Sequence, residues 1–391
     1  MIEVTTERIA YGGDAVARHN GLAVFIPMAA PGERLRVRVT ERKKRFARAV
    51  IEEILSPSPA RRSPPCRFYG ACGGCQLQHL TYEAQLEAKA DFVRDALARI
   101  GRIEWPHKIE VRSAAEFGYR ARAQVKVESA GPGAVRIGFN RAGSHAVCDI
   151  DSCPILTPEL NAALAALRPA LQQAGEIREV EMGAGENGVA VEPALPGMPG
   201  GPLERVVAGA AYQFSPSTFF QINALLFEDL VAEALGDETG ELAIDLYAGV
   251  GLFTAQLARR FERVIGVEAD PRAASFARVN LAANKATNVE FHQERAESWL
   301  KGYAARQKRT QSPAPDLALL DPPRGGAPEV VSLLAELRPP RIRYVSCDPA
   351  TLARDLRGLL DSGYELTAVM AFDLFPQTYH VETVAALRLR E

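Results

Sequence analysis

Leu242-Ala243-Ile244-Asp245-Leu246-Tyr247-Ala248-Gly249-Val250-Gly251 is the stretch that decides the fold of this chain. The apolar run reads as a buried strand, and the glycines after it open a helix at Leu252. Outward from it, strand-like runs at Arg263–Glu268, Val289–His292, Leu317–Asp321 and Ile342–Ser346 follow the first one, Leu242–Tyr247. Helical stretches fit Leu252–Arg260, Pro271–Asn284, Pro328–Arg338 and Pro349–Ser362. Strands alternating with helices predict an α/β fold with a doubly wound parallel sheet, beginning at about Ala211. Polar, proline-containing Gly302 to Pro315 reads as a solvated loop.

Gly249 and Gly251 would let the backbone approach a ligand at the carboxyl end of the first strand. Glu268 ends the next strand, where a carboxylate can accept both hydroxyls of an adenosine ribose. The third strand ends near Gln293 to Glu297, where an adenine contact would fall. A nicotinamide dinucleotide is the competing ligand, but it expects G-x-G-x-x-G with a pyrophosphate on the helix N-terminus. Thr254 stands in place of the third glycine, and Asp245 would repel a phosphate. An acid before the glycines suits the amino group of S-adenosylmethionine. Asp321-Pro322-Pro323-Arg324 closes another strand. Asp-Pro-Pro plus an aromatic is familiar in methyltransferases of exocyclic amines, but here Arg324 offers no stacking face.

Val345-Ser346-Cys347-Asp348-Pro349 sets a cysteine straight after an apolar strand, and a polar cluster from Asp373 to Glu382 lies downstream. An amine methyltransferase has no use for Cys347, because the substrate nitrogen is itself the nucleophile. A pyrimidine carbon is different. Uracil C5 becomes nucleophilic only after a thiolate adds to C6, and a base must then remove the C5 proton. Cys347 and Glu382 supply those two types.

Val345 to Asp355, together with Phe375-Pro376-Gln377-Thr378-Tyr379-His380-Val381-Glu382, resembles the RNA uridine-C5 methyltransferases, the TrmA/RumA group. Ser215-Pro216-Ser217-Thr218-Phe219-Phe220-Gln221-Ile222-Asn223 resembles the stretch that opens their catalytic domain, and the likeness covers essentially the whole chain. It implies a Rossmann-like class I S-adenosylmethionine methyltransferase domain. Cys347 would be the nucleophile and Glu382 the base. Gln221, Tyr247, Glu268 and Asp321 would contact the donor or the active site. The chain departs from the family pattern at Asp348, often Asn there, and at Ala248, Leu252 and Arg295. His380 is expected to orient the loop.

Cys66-x5-Cys72-x2-Cys75, with Cys153 far downstream, offers four thiolates. Structural zinc usually presents two close pairs. Three cysteines plus a remote fourth is common for a [4Fe–4S] cluster, and zinc stays open as the alternative. The resemblance extends to these four cysteines in the iron–sulfur members. Radical chemistry expects C-x3-C-x2-C, which the x5 spacing does not match. Cys148 reads as a bystander.

The formal charge of -2 excludes a uniformly basic coat, yet Arg34 to Arg62 holds ten Lys or Arg and three acids. That local surface suits a polyanion. Short alternating segments before Ile54, broken by Gly12-Gly13, Asn20-Gly21 and Pro31-Gly32, predict a small β-barrel that resembles a TRAM domain, an RNA-binding OB-like module. Arg34, Arg36, Arg38, Arg42, Lys43, Lys44, Arg45 and Arg48 are its expected phosphate contacts, with Arg120, Arg122 and Lys126 further on and Phe46 or Tyr119 as stacking candidates. Loops are expected at Gly131-Pro132-Gly133 and at Pro193 to Pro202.

The expected organisation is a TRAM-like barrel over 1–58, a central α+β RNA-binding domain with the cysteine knot over 59–210, and a methyltransferase domain over 211–391. No signal core or membrane-length run is seen, so the cytoplasm is expected, with structured RNA as partner and the chain acting as a monomer. Barrel and cluster together point to large-subunit ribosomal RNA, with tRNA as the alternative. Two rivals remain: a non-catalytic RNA-binding protein and an exocyclic-amine methyltransferase.

Overall fold

The computed structural model describes residues 1–131, 134–174 and 176–391. Strands β1 (Ile2–Ile9), β2 (Ala15–His19), β3 (Leu22–Ile26), β4 (Arg34–Arg42) and β5 (Phe46–Ser56) close a barrel in the order β1-β2-β3-β5-β4. In β4, Leu35 and Val37 point into the barrel core while Arg34 and Arg38 face out, the two-residue alternation its sequence announces. Leu77, Leu80 and Phe92, from the segment that follows, complete that core. The barrel is therefore docked on the rest of the chain through apolar packing.

Helix α1 (Tyr82–Ala96) is capped by Thr81, whose side chain accepts from Ala84 N. Short strand β6 (Glu110–Arg112) follows. Next come β7 (Arg122–Gly131), β8 (Ala134–Asn140), β9 (Val147–Asp149), α2 (Pro158–Gln173), β10 (Glu179–Gly185) and β11 (Gly188–Glu192). Their strands form a sheet in the order β11-β10-β7-β8-β9, with α2 across it. Of the loop expected at Gly131-Pro132-Gly133, Gly131 ends β7, and Pro132 and Gly133 lie outside the described residues. Hairpin β12 (Leu203–Val207) and β13 (Ala210–Phe214) leads to α3 (Phe227–Leu235).

The rest builds one large sheet from β14 (Gly240–Leu246), α4 (Leu252–Leu257), β15 (Phe261–Glu268), α5 (Pro271–Ala283), β16 (Val289–Gln293), α6 (Ala296–Thr310), β17 (Leu317–Leu320), α7 (Pro328–Leu337), β18 (Arg341–Ser346), α8 (Pro349–Asp361), β19 (Tyr364–Phe372) and β20 (Glu382–Leu389). The order is β16-β15-β14-β17-β18-β20-β19-β6. Strands β14 to β18 run parallel, and β20 returns antiparallel beside β18. The order reverses between β14 and β17, and a crevice opens where strands diverge at such a point. Strand β6 joins the far edge, parallel to β19, so residues before the central sheet belong to the large C-terminal sheet.

One expectation fails. Gly302 to Pro315 is not a loop along most of its length, because α6 runs through it to Thr310. Trp299, Leu300 and Ala304 recur at helical spacing and are buried, and the Trp299 and Tyr303 rings stack with centroids 5.0 Å apart. The polar residues form the outer side of an amphipathic helix. Gln311, left-handed at φ 51°, ends it.

The β19–β20 connection is tied to α1 by a fully buried ion pair between Lys89 and Asp373. Lys89 also donates to Phe375 O at 3.0 Å, and Tyr82 donates to Asp373 Oδ2 at 3.0 Å. Burial pulls the Lys89 ammonium pKa down while Asp373 pulls it up. A buried pair is costly to break from one side only. Lys89→Met should lower stability by about 3–5 kcal/mol in chemical denaturation, while Lys89→Met with Asp373→Leu should recover most of that loss.

Candidate active site

Five loops leave the carboxyl ends of β14, β15, β16, β17 and β18 on one side and line a cavity of about 860 Å³. The parallel register forces this convergence, since every strand ends at the same edge. Gln221, Tyr247, Gly249, Glu268, Asp321, Cys347 and Glu382 all line the cavity. Gly251 does not. It caps α4 at φ 86°, and a Cβ there would stand 3.5 Å from Ala277. That contact is an ordinary one, so it is the left-handed backbone at the start of α4 that favours glycine here.

Tyr247 holds a left-handed backbone at φ 63°, a strained state for a ring-bearing residue, and Gly249 follows at φ 56°. The Gly249 N–H donates to Glu268 Oε2 at 2.8 Å and Asp270 N–H to Oε1 at 2.6 Å, so the Glu268 carboxylate is fixed at the cavity wall. The Tyr247 hydroxyl donates to Glu297 Oε1 at 2.9 Å, and Arg295 Nε lies 3.5 Å from Glu297. Glu297 lines the cavity from the first turn of α6, within the stretch where an adenine contact is expected. On the opposite wall, Ser215 and Thr218 cross-bond, with Ser215 N–H donating to Thr218 Oγ1 at 2.8 Å. Arg122 Nε donates to Pro216 O at 2.6 Å and so braces this turn.

Cys347 and Glu382 are far apart in sequence and adjacent in space. Strands β18 and β20 pair Val345 with Val384 and Ser346 with Thr383. The same register carried one step further sets Cys347 opposite Glu382. Glu382 is buried, and among the described residues its Oε1 has no hydrogen-bond partner. Burial, then repulsion from Asp321, push its carboxyl pKa far up, and Arg324 pulls it down. Asp321 is raised to about 7 by burial and by Asp245. Asp245 is itself raised to about 7, chiefly by burial, while a 2.5 Å bond from Thr254 Oγ1 opposes the shift. The Cys347 thiol is pushed up to about 12 by burial, Glu382 and Asp321, with Arg324 opposing. Burial and then Arg324 lower His380 to about 4, so its ring is neutral. Its Nε2 stands 3.3 Å from an Arg324 nitrogen.

Among the described residues these buried acids form no ion pair, Arg324 being the cation that acts on Glu382, and Glu382 Oε1 is orphaned. A cationic ligand carrying an ammonium and a sulfonium fits that deficit, and Glu268 beside a glycine turn fits a ribose.

Asp348 caps α8, its Oδ1 accepting from Ala350 and Thr351 N–H, both at 2.9 Å. Its Oδ2 accepts from the Tyr11 hydroxyl at 3.1 Å. Tyr11 sits at the barrel's first turn and packs edge-on against Tyr379, with centroids 5.3 Å apart. Thus the barrel touches the elements that follow Cys347. Nothing in the sequence paired Tyr11 with Asp348.

The family described as tRNA (Uracil-5-)-methyltransferase matches residues 205–390, and the TRAM domain matches residues 1–51. An uncharacterized RNA methyltransferase of Aquifex aeolicus is 35% identical, covering 100% of this chain and 99% of that protein. This chain belongs to the RNA (uracil-5-)-methyltransferase family. Salmonella typhimurium has a relative named 23S rRNA (uracil(1939)-C(5))-methyltransferase RlmD, 35% identical over 98% of this chain and 95% of its own length. Among solved structures, the Pyrococcus abyssi tRNA (uracil-54, C5)-methyltransferase in complex with S-adenosyl-L-homocysteine superposes with a TM-score of 0.75. It is 26% identical and covers 99% of this chain and 100% of that one.

In this uracil-5-methyltransferase the four cysteines converge. Cys66, Cys72, Cys75 and Cys153 line one pocket, with Arg120 at its wall, and all are free thiols. Burial raises Cys72 to about 11 and Cys75 to about 12, and raises Cys153. Among the described residues no group of three or more His, Cys, Asp or Glu could hold a metal ion. Cys148 is buried in the central core.

The expected RNA contacts are thinned by the structure. Arg36 pairs with Glu53 and Glu3, Arg38 with Glu52, Lys43 with Glu41, and Arg48 with Asp14. Arg34, Arg42, Lys44 and Arg45 are exposed, with no ion pair among the described residues. Tyr119 is buried, its hydroxyl donating to Pro376 O at 2.9 Å, so it offers no stacking face. Lys126 pairs with Glu179. Among the described residues no helix is long and apolar enough to cross a membrane.

A thiol raised to about 12 is almost wholly protonated at neutral pH, and its thiolate fraction climbs tenfold per pH unit below that value. Alkylation of Cys347 by iodoacetamide in the free protein should therefore be slow at pH 7 and rise with unit slope to pH 10. Arg324→Met should slow it further at every pH. Peptide mass spectrometry reads both.

Proposed function

We propose that this enzyme methylates C5 of a uridine in large-subunit ribosomal RNA, with S-adenosylmethionine as donor. The observation that carries the reading is the pairing of Cys347 with Glu382 across the ends of β18 and β20, at the wall of one cavity. The RlmD relative favours ribosomal RNA, since it matches nearly end to end, and the tRNA enzyme of known structure keeps tRNA as the second reading.

S-adenosylmethionine, when bound, supplies an electrophilic methyl group on a sulfonium. Gln221, Tyr247, Glu268 and Asp321 would hold it against the sheet edge. Cys347 adds its thiolate to uracil C6, forming a C–S bond and moving the C5=C6 electrons toward C4=O. Arg324, beside the thiol, stabilises the anion in both its thiolate and enolate forms. C5 would then take the methyl group as the methyl–sulfur bond breaks, its electron pair staying on sulfur to leave the neutral thioether S-adenosylhomocysteine. Glu382 removes the C5 proton, and the released pair re-forms C5=C6 and expels the Cys347 thiolate. Both groups must be ionised for turnover. A cation beside Glu382 and Asp321 favours that state, because their pKa values are raised by burial and like charge. The target base must leave its stack to reach the cavity, so a flipped or looped uridine is the substrate form.

The cysteine set is proposed to hold a [4Fe–4S] cluster. Four free thiols line one pocket, which suits a group that takes each thiolate on a separate iron. A single zinc held by four thiolates is the alternative, and the metal assay below separates the two. The free thiols also agree with a reducing, cytoplasmic setting. The exposed Arg34, Arg42, Lys44 and Arg45 are proposed as phosphate contacts.

Cys347→Ala should abolish formation of 5-methyluridine in ribosomal RNA from a deletion strain, read by nucleoside mass spectrometry. Glu382→Gln should instead accumulate a covalent RNA–protein adduct that survives denaturing electrophoresis. Methyl transfer by the Cys347→Ala protein, or a product methylated on nitrogen, would overturn the reading. Anaerobically purified protein should show broad brownish absorption and about four irons per chain, and stoichiometric zinc without iron would refute the cluster.

A further inference from the structure

We propose that Gln377 is the positioning residue for the proton-accepting carboxylate of Glu382. The inference rests on the reading of Glu382 as base and adds how that base is held. Among the described residues no hydrogen bond holds the Glu382 carboxyl, and its Oε1 is buried without a partner. Its place is therefore set by the backbone that delivers it. That backbone is the β19–β20 connection, which closes where Phe372 pairs with Glu382.

Gln377 sits midway along this connection, fully buried and left-handed at φ 71°. Every polar atom it has is engaged. Its N–H donates to Gln85 Oε1 at 3.1 Å, and its Oε1 accepts from Gln85 Nε2 at 3.0 Å and from Arg62 at 3.2 Å. Its Nε2 donates to Glu116 Oε2 at 3.0 Å. Its carbonyl accepts from both Gln76 and Leu77 N–H at 3.0 Å. Gln76 directly follows Cys75, so the cysteine-bearing segment, α1 and the loop at Glu116 all meet at this one side chain and its carbonyl. A left-handed non-glycine residue persists only where its surroundings over-determine it. The neighbours of Gln377 along the connection, Phe375 and His380, line the catalytic cavity. Slack at Gln377 would therefore reach the cavity wall and the strand end that carries Glu382.

The test uses the full-length protein and ordinary uridine-containing RNA. Gln377→Leu removes the side-chain bonds and leaves the backbone ones. It should lower kcat about a hundredfold, since a misplacement of about 1 Å can cost that much. Binding of S-adenosylhomocysteine should be unchanged, and a denaturation-resistant covalent adduct should accumulate because methyl transfer outruns proton removal. Gln85→Met, which loosens the same bonds from the helix side, should give a weaker form of the same signature. If Gln377→Leu does not fold, Gln85→Met decides alone. A loss of activity without adduct, or an unchanged kcat, overturns the inference, provided that Glu382→Gln in parallel accumulates adduct. If Glu382→Gln accumulates none, the assignment of the base has failed instead.

Discussion

The antiparallel return of β20 alongside β18 is the constraint on which the site depends. Parallel strands each deliver one loop to the sheet edge, and neighbouring loop residues there come from the ends of strands running the same way. Reversing one strand brings the start of β20 level with the end of β18. A thiol and a carboxylate from opposite strand ends are thereby brought to the wall of one cavity. Sliding the register by one residue would turn Glu382 to the other side of the sheet.

Electrostatics follows from that packing. Asp245, Asp321 and Glu382 crowd the buried edge with acids, and each raises the proton affinity of its neighbours. Burial and like charge thus favour the protonated forms at this edge, the Cys347 thiol among them. Arg324 is the cation that opposes this, and a positively charged donor would add to it.

The N-terminal half serves the same edge. The barrel reaches Asp348 through Tyr11, α1 grips Asp373 through Lys89, and the cysteine-bearing segment bonds Gln377. Arg122, expected to meet phosphate, braces the turn at Pro216. Elements that look like separate RNA-binding attachments in the sequence are struts of the catalytic cavity.

The sequence by itself determined the alternating β/α order, the glycine turn, the barrel's two-residue pattern and the helix starts at Pro158, Pro271, Pro328 and Pro349, because each depends on short-range periodicity and capping. It also named Cys347, Glu382 and the four cysteines, through chemistry and family likeness. It misread α6, since a helix with one narrow apolar stripe looks like solvated loop until Trp299 and Leu300 have a sheet to cover. Tertiary structure alone decided that Cys347 meets Glu382, that Gly251 starts α4 behind the cavity wall, and that four of the eight expected phosphate contacts are paired with Glu or Asp. Those outcomes depend chiefly on strand register and on which side chains face one another across strands, and no local pattern encodes distance across a sheet.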